Sequence, residues 1–217
     1  MANEWPEGQT QSMTAAPQIE LATEDQYFAI EERSPTKHEF WHGHIVAMAG
    51  AAPRHNLITT RVVIALANRL ADTSCEVTSS DQKIKAEDQV FAFPDVVVWC
   101  EDAQFDSRRP HVLLNPHILV EILSPSTRNA DWGAKLAAYQ TLPWLLDYLI
   151  VWPDMVRVEH YARQNETDWR FRRLLNRNQI IDFTAQSLFI PVEEFYRRLD
   201  VPEGVLNLEL PFEEDEE

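Results

Sequence analysis

The sequence contains no apolar run approaching the roughly 20 residues that cross a bilayer. Its opening residues, Met1 to Glu7, lack the basic region and apolar core of a secretory signal. Neither membrane insertion nor export is expected, and the chain reads as cytoplasmic. Cysteine is nearly absent, with Cys75 and Cys100 the 2 present. Their spacing suits neither a disulfide-dense framework nor a zinc site, so both are expected to be reduced thiols in core strands. Positive charge is scarce as well: 19 Lys and Arg face 35 Asp and Glu, for a formal charge of −16. A protein that works on a polyanion normally carries a basic surface, and globally this one does not. Part of the excess is the solvated acidic run Glu213 to Glu217. Internal repeats and low-complexity tracts are also missing.

What remains is ordinary globular usage. The 217 residues are 45% hydrophobic and 25% charged, enough for one sizeable core. Residues 1–18 are polar and aperiodic and are expected to form a mobile arm. Residues 19–200 form the domain and 201–217 an acidic tail. Thr23 to Glu32 reads as a short helix capped by Thr23, with Tyr27, Phe28 and Ile30 docking on the body. His38 to Gly50, broken at Gly43, reads as a hairpin with Glu39 at its start. Arg54 to Leu70 repeats Ile58, Val62, Ala65, Leu66 and Leu70 at helical spacing, and His55 falls on the inward face at the N-terminal end.

Cys75 to Ala86, Val90 to Trp99, Ile118 to Leu123 and Tyr148 to Trp152 read as strands. A helix from about Asn129 to Thr141 joins the last two, which implies a parallel pair. Alternation through Val156, Val158 and Tyr161, then Trp169, Phe171 and Leu174, predicts an antiparallel extension, and Pro191 to Leu199 a final helix. The predicted fold class is α/β (α+β), a mixed β-sheet flanked by helices with an N-terminal hairpin and a C-terminal antiparallel extension.

Two apolar runs are each interrupted by one acid, Asp95 after Phe93-Pro94 and Glu121 between Val120 and Ile122. An ionised carboxylate there loses hydration that its neighbours cannot return, so it needs a cation, a donor or a raised pKa. Two such acids on neighbouring strands suggest a shared metal. The competing structural readings are a turn cap after Pro94 for Asp95 and an ion pair with Arg128 for Glu121. On the following helix Asp131, Lys135 and Tyr139 share one side, although Asp131 and Lys135 also suit an ordinary surface ion pair. His55 fits a core histidine as well as a functional group. His38, His42 and His44 straddle Gly43 and do not suit a zinc site. Tyr139, Trp132 and Trp152 read as packing.

These residues resemble the PD-(D/E)XK nuclease superfamily and, within it, the Uma-two family of restriction-endonuclease-like proteins, over about Ile19 to Leu199. The resemblance is carried by His38-Glu39-Phe40 with Gly43 and Met48-Ala49-Gly50, by His55, and by Ser80-Asp81 with Lys83. It continues through Pro94-Asp95-Val96-Val97-Val98, Val120-Glu121-Ile122-Leu123-Ser124-Pro125-Ser126-Thr127, and Asp131, Lys135 and Tyr139. It implies a restriction-endonuclease-like core and a metal-dependent phosphodiesterase, with Asp95 and Glu121 as the metal-binding acids and Mg²⁺ or Mn²⁺ as the ion. The superfamily pattern puts a lysine two residues after the glutamate. Here that residue is Leu123, so Lys135 is the first candidate for the lysine and Lys83 the second. Glu39 and His55 would complete the catalytic set. DNA is the implied substrate, and a homodimer follows by analogy from the need to cut two strands.

The chemistry accounts for these residue types. Phosphodiester hydrolysis adds negative charge to the phosphoryl and leaving oxygens, which a hard divalent ion on carboxylates offsets while lowering the pKa of a bound water. A lysine orients or deprotonates that water, or stabilises the developing charge. Two other classes remain open on the sequence. One is a catalytically inactive nuclease-fold binding or scaffold protein, suggested by Leu123 and the acidic charge; the other is a metal-dependent hydrolase of a smaller phosphoester. For DNA to dock, cations among Arg54, Arg61, Lys83, Lys85, Arg108, Arg109 and Arg128 would have to converge near Asp95.

Overall fold

The backbone passes back and forth between two β-sheets, and two of its crossings, at Ser80 and at Asp95, run side by side and set the position of Asp95. The computed structural model describes residues 21–48, 50–123 and 131–205. In chain order the helices and strands are α1 (Glu24–Glu31), β1 (His38–Trp41), β2 (His44–Ala47), α2 (Pro53–Leu70), β3 (Cys75–Ser79), β4 (Lys83–Glu87), β5 (Val90–Ala92), β6 (Val96–Cys100) and β7 (Val112–Leu113). They continue as β8 (Ile118–Ile122), α3 (Asp131–Gln140), β9 (Asp147–Val151), β10 (Val158–Arg163), β11 (Trp169–Leu174), β12 (Ile180–Asp182), β13 (Phe189–Pro191) and α4 (Glu193–Tyr196). The expected arm over residues 1–18, Ala49, the segment Ser124 to Arg128, the side chains of Asp131 and Trp132, and residues 206–217 of the acidic tail lie outside the described residues.

Six strands form a mixed sheet in the order β11-β10-β9-β8-β6-β3, and five form a second in the order β2-β1-β5-β4-β7. The crossover through α3 leaves β8 and β9 parallel, while β10 and β11 extend the sheet antiparallel, both as the sequence pattern implies. Alternation along the strands divides the core. One face of the larger sheet, with Val96, Val98, Val120 and Ile122, packs on Ile58, Val62, Ala65, Leu66 and Leu70 of α2. The other, with Val97, Leu119, Leu123 and Ile150, packs on Ala138 and Tyr139 of α3. Covering both faces explains why these strands are nearly continuous apolar runs. Each buried Leu or Ile contributes about 2 kcal/mol.

α1 starts in a reciprocal capping box between Thr23 and Gln26 and lays Tyr27 and Phe28 against Phe40 and Phe91 of the smaller sheet. Ile30, expected to dock, is 44% exposed, because two residues beyond Phe28 the helix has turned it outward. The hairpin turns at His42-Gly43, both with positive φ, as a two-residue turn between antiparallel strands requires.

Two expected strands are each broken in two. Cys75 to Ala86 divides into β3 and β4 around Ser80, whose φ is 47°. Val90 to Trp99 divides into β5 and β6 at Phe93-Pro94-Asp95, where Pro94 has no N–H to offer a ladder. The two breaks are tied together by the Ser80 N–H donating to the Asp95 carbonyl at 3.0 Å. Asp95 thus lies at the seam between the sheets rather than inside a strand. The last helix is also shorter than Pro191 to Leu199, since Pro191 belongs to β13. The cysteines are not free thiols. Cys75 and Cys100 stand directly opposite each other in the β3–β6 register and form a disulfide.

Candidate active site

Six side chains from five parts of the fold meet at the seam. The Asp95 Oδ2 atom accepts the Ile122 N–H at 2.8 Å and lies 3.1 Å from His55 Nε2. The first contact fixes the carboxyl beside the β8 strand end, next to Glu121. The second ties it to the first turn of α2, where the inward face puts His55. Burial works against the charge of His55, but the hydrogen bond and negative charge of Asp95 outweigh it and raise the imidazole pKa. Toward an ionised Asp95, which can only accept, Nε2 is the donor.

Glu121 occupies the α3-facing side of β8 between Leu119 and Leu123, which are both buried. Lys135, one turn before Tyr139 on α3, reaches back so that its Nζ lies 3.1 Å from Glu121 Oε1 and 3.1 Å from Glu39 Oε1. The Tyr139 hydroxyl donates to Glu121 Oε1 at 2.9 Å. Burial pushes the Glu121 carboxyl up to about 7; Lys135 and Tyr139 oppose the rise, and Asp95 and Glu39 add to it. Burial also opposes the charge of Lys135, yet Glu121 and Glu39 prevail and raise its pKa above the ordinary lysine value. The ammonium is held charged between two acids.

Glu39 reaches the cluster from the smaller sheet. Its Oε1 also accepts the Phe93 N–H at 3.1 Å, and its Oε2 accepts Trp41 Nε1–H at 3.1 Å. The strand that carries it is clamped by α1: Tyr27 donates its hydroxyl to the His38 carbonyl at 2.7 Å, and Glu31 accepts the His38 N–H at 2.9 Å. Glu39 therefore links Lys135 directly to the backbone of the β5–β6 crossing.

Lys83 goes elsewhere. It is neither a solvated strand residue nor a neighbour of the acids: its Nζ lies 4.6 Å from the ring centroid of Tyr27, 5.0 Å from Phe28, 4.9 Å from Phe93, and 3.4 Å from Glu31. Among the described residues no hydrogen bond or ion pair joins it to Asp95 or Glu121. His38 pairs with Glu31 and His42 with Glu87, so the hairpin histidines are dispersed. Of the basic residues that could converge near Asp95, Lys85 pairs with Asp88 and Arg109 with Asp25, whereas Arg54 directly precedes His55. Arg128 lies outside the described residues. Tyr139, expected to be packing, instead bonds Glu121, and its spacing of one turn from Lys135 is the sequence signal for that role.

A model of the Uma2 family, described as "Putative restriction endonuclease", matches residues 24–193. In Synechocystis sp., "Uncharacterized protein sll1609" is 31% identical over 169 residues, covering 77% of this chain and 96% of that protein. "Uncharacterized protein slr1290" from the same organism is 36% identical over 156 residues, covering 71% and 80%. The fold matches the crystal structure of a "putative nuclease belonging to DUF820" from Anabaena variabilis with a TM-score of 0.66, over 79% of this chain and 95% of that one, at 13% identity. At that identity the likeness bears on the fold alone.

Proposed function

Since the chain belongs to the Uma2 restriction-endonuclease-like family, we propose that it is a divalent-metal-dependent endonuclease hydrolysing phosphodiester bonds in DNA. In this reading Asp95 and Glu121 hold Mg²⁺ or Mn²⁺ and Lys135 is the lysine of the site. The observation that carries it is the placement of Lys135, 3.1 Å from Glu121, where the strand itself offers the buried Leu123.

The residues present fit such an ion. Asp95 Oδ1 and Glu121 Oε2 receive no hydrogen bond among the described residues, while the fold engages the other oxygen of each. Two hard oxygen donors suit Mg²⁺ or Mn²⁺, which keep several waters and need only one or two carboxylates. Among the described residues no group of three or more His, Cys, Asp or Glu is arranged to hold a metal ion, so in this reading water would fill the positions left by the two carboxylates. Burial first, and then the charges of Asp95 and Glu39, raise the pKa of Glu121, and a bound cation would favour its ionised form. When bound, the ion would offset charge on the phosphoryl oxygens and acidify a water.

The chain's own groups supply the rest. Lys135, kept charged by Glu39 and Glu121, presents an ammonium to the phosphoryl oxygen or to the attacking water. Tyr139 and Lys135 fix Glu121 Oε1 and so orient its second oxygen. His55 and the Ile122 N–H do the same for Asp95. A homodimer, one copy for each strand, and a cytoplasmic setting belong to the same reading.

The test is cleavage of supercoiled plasmid and single-stranded DNA with Mg²⁺ or Mn²⁺, at low and moderate salt, by the wild type and by Asp95→Ala. Nicking or linearisation that disappears in the variant is expected. A folded wild-type protein that cuts none of these substrates overturns the reading.

A further inference from the structure

The helix that carries His55 has an unusual charge balance for this chain. α2 spans 18 residues, carries Arg54, Arg61 and Arg69, and contains no acid, in a sequence with 35 acids against 19 bases. Arg69 is fully engaged, bonding through both terminal nitrogens to Glu194 and through Nε to the Phe189 carbonyl. It thereby fastens α4 to α2. The neighbouring acid, Glu193, is bonded to Arg177 at 3.0 Å. Arg61 is left beside Arg197 and Arg198, with Glu193 the opposing charge nearby. Its Nη1 atom is buried and has no hydrogen-bond partner among the described residues.

Burial and the two adjacent arginines lower the pKa of Arg61, so an incoming anion would relieve a repulsion that the fold leaves standing. Arg197 and Arg198 are exposed and make no ion pair among the described residues. Arg198 also adopts a φ of 58°, a region that side chains other than glycine rarely occupy. Arg54 is exposed and lies seven residues before Arg61, hence on the same side of α2 and roughly 10 Å along it. The next residue, His55, touches Asp95 at 3.1 Å. The arginines therefore run from the candidate active site along the helix to the end of α4.

We infer that Arg54, Arg61, Arg197 and Arg198 form the surface that receives the sugar-phosphate backbone of DNA entering the Asp95–Glu121 site. The inference rests on the nuclease reading for the location of that site, but its binding test is separate. A negatively charged protein needs a local concentration of cations to hold a polyanion, and here the cations are left over after the acids of α4 have found other partners. Leu57 and Ile64, exposed on the same helix, would suit a protein partner. A second copy of this chain, however, would bring its own acid-free α2, arginine against arginine.

The experiment is fluorescence anisotropy of a labelled DNA duplex with the full-length chain in EDTA, from roughly 50 to 200 mM salt. It compares the wild type, Arg61→Gln, the exposed double variant Arg197→Gln/Arg198→Gln, and Arg33→Gln as a control at an exposed arginine just past α1. Binding by Arg61→Gln is expected to weaken several-fold, with the slope of log K against log salt reduced by about one, and by about two in the double variant. The control should bind as the wild type does. The double variant keeps the test valid if Arg61→Gln fails to fold. Wild-type affinity in the double variant, weakening no greater than in the control, or a wild type that does not bind duplex at low salt would each overturn the inference. Arginine-dependent binding without cleavage would leave it standing while the nuclease reading fell, and cleavage with arginine-independent binding would do the reverse.

Discussion

Asp147 meets His160 at 2.7 Å with both side chains 0% exposed, whereas Asp95 meets His55 at 3.1 Å with the two 15% and 12% exposed. The pairs use the same two residue types, but Asp147–His160 joins the neighbouring strands β9 and β10 of one sheet, whereas Asp95–His55 joins the β5–β6 crossing to α2. They differ in what each carboxylate has left over. Asp147 accepts the Thr184 N–H on Oδ1 at 3.0 Å and the Ala185 N–H on Oδ2 at 2.7 Å, so both oxygens fasten the turn Ala185–Ser187 to the sheet. Asp95 takes both of its bonds on Oδ2, and Oδ1 receives none among the described residues. A buried acid whose oxygens are all occupied by backbone N–H groups is a structural clamp. One that is held by a single oxygen at a sheet seam is oriented for something outside the fold.

The largest contrast is expected from removing each aspartate. Asp95→Ala should abolish metal-supported cleavage and leave the melting temperature within a few degrees of the wild type. Asp147→Ala should instead destabilise the fold by about 3–5 kcal/mol, since it strands a buried imidazole and two backbone donors; chemical denaturation measures it. Near-equal stability losses would dissolve the distinction.

The two buried lysines sharpen the comparison. Lys135→Met should lower the cleavage rate by about 10²–10⁴-fold. Lys83→Met should cut at close to the wild-type rate, because a thioether can occupy the aromatic cage of Tyr27, Phe28 and Phe93. Reversed effects would move the lysine of the site to β4. Next in size is the disulfide: Cys75→Ala/Cys100→Ala should cost about 3.5 kcal/mol, the chain-entropy figure for a separation of 25 residues, without loss of specific activity in the folded fraction.

The smallest effect is a pH slope. Glu121 rises from its ordinary 4.5 to about 7 in the folded chain. Between those values the folded state binds its proton more tightly than the unfolded state does, so metal-free stability falls as pH rises across the window. His55, also raised, contributes stability that is complete below its ordinary 6.5 and is lost as pH rises through its folded value. Thermal melts from pH 4.5 to 8 should therefore decline, and Glu121→Gln should flatten the lower part of the curve. An unchanged slope in that variant would place the titration elsewhere.

Much of the fold was legible because its signals are local. The helical repeat from Ile58 to Leu70, the Thr23 cap and the Gly43 turn each depend on neighbours within a few residues, and the acids at Asp95 and Glu121 stand out against apolar flanks. The breaks at Ser80 and Pro94 were harder to see: the polar run Thr78 to Lys83 and Pro94 are turn signals that strands on both sides outweigh, and only the change of sheet partner ends each strand. The disulfide was invisible for the same reason: 25 residues separate Cys75 from Cys100, and register alone brings them together. Lys83 sits at an alternating strand position like any solvated lysine, and only α1, folding over from far upstream, turns that position into a cage. The Asp147–His160 clamp likewise depends on a strand pairing that no spacing reveals.

The most direct test is Mn²⁺ binding, followed by electron paramagnetic resonance, to the wild type, Asp95→Asn, Glu121→Gln and Asp147→Asn at matched folded concentration. Binding that is lost in the first two variants and kept by folded Asp147→Asn is the expected result. Equal binding by the wild type and Asp95→Asn would contradict the assignment of the seam as the working site.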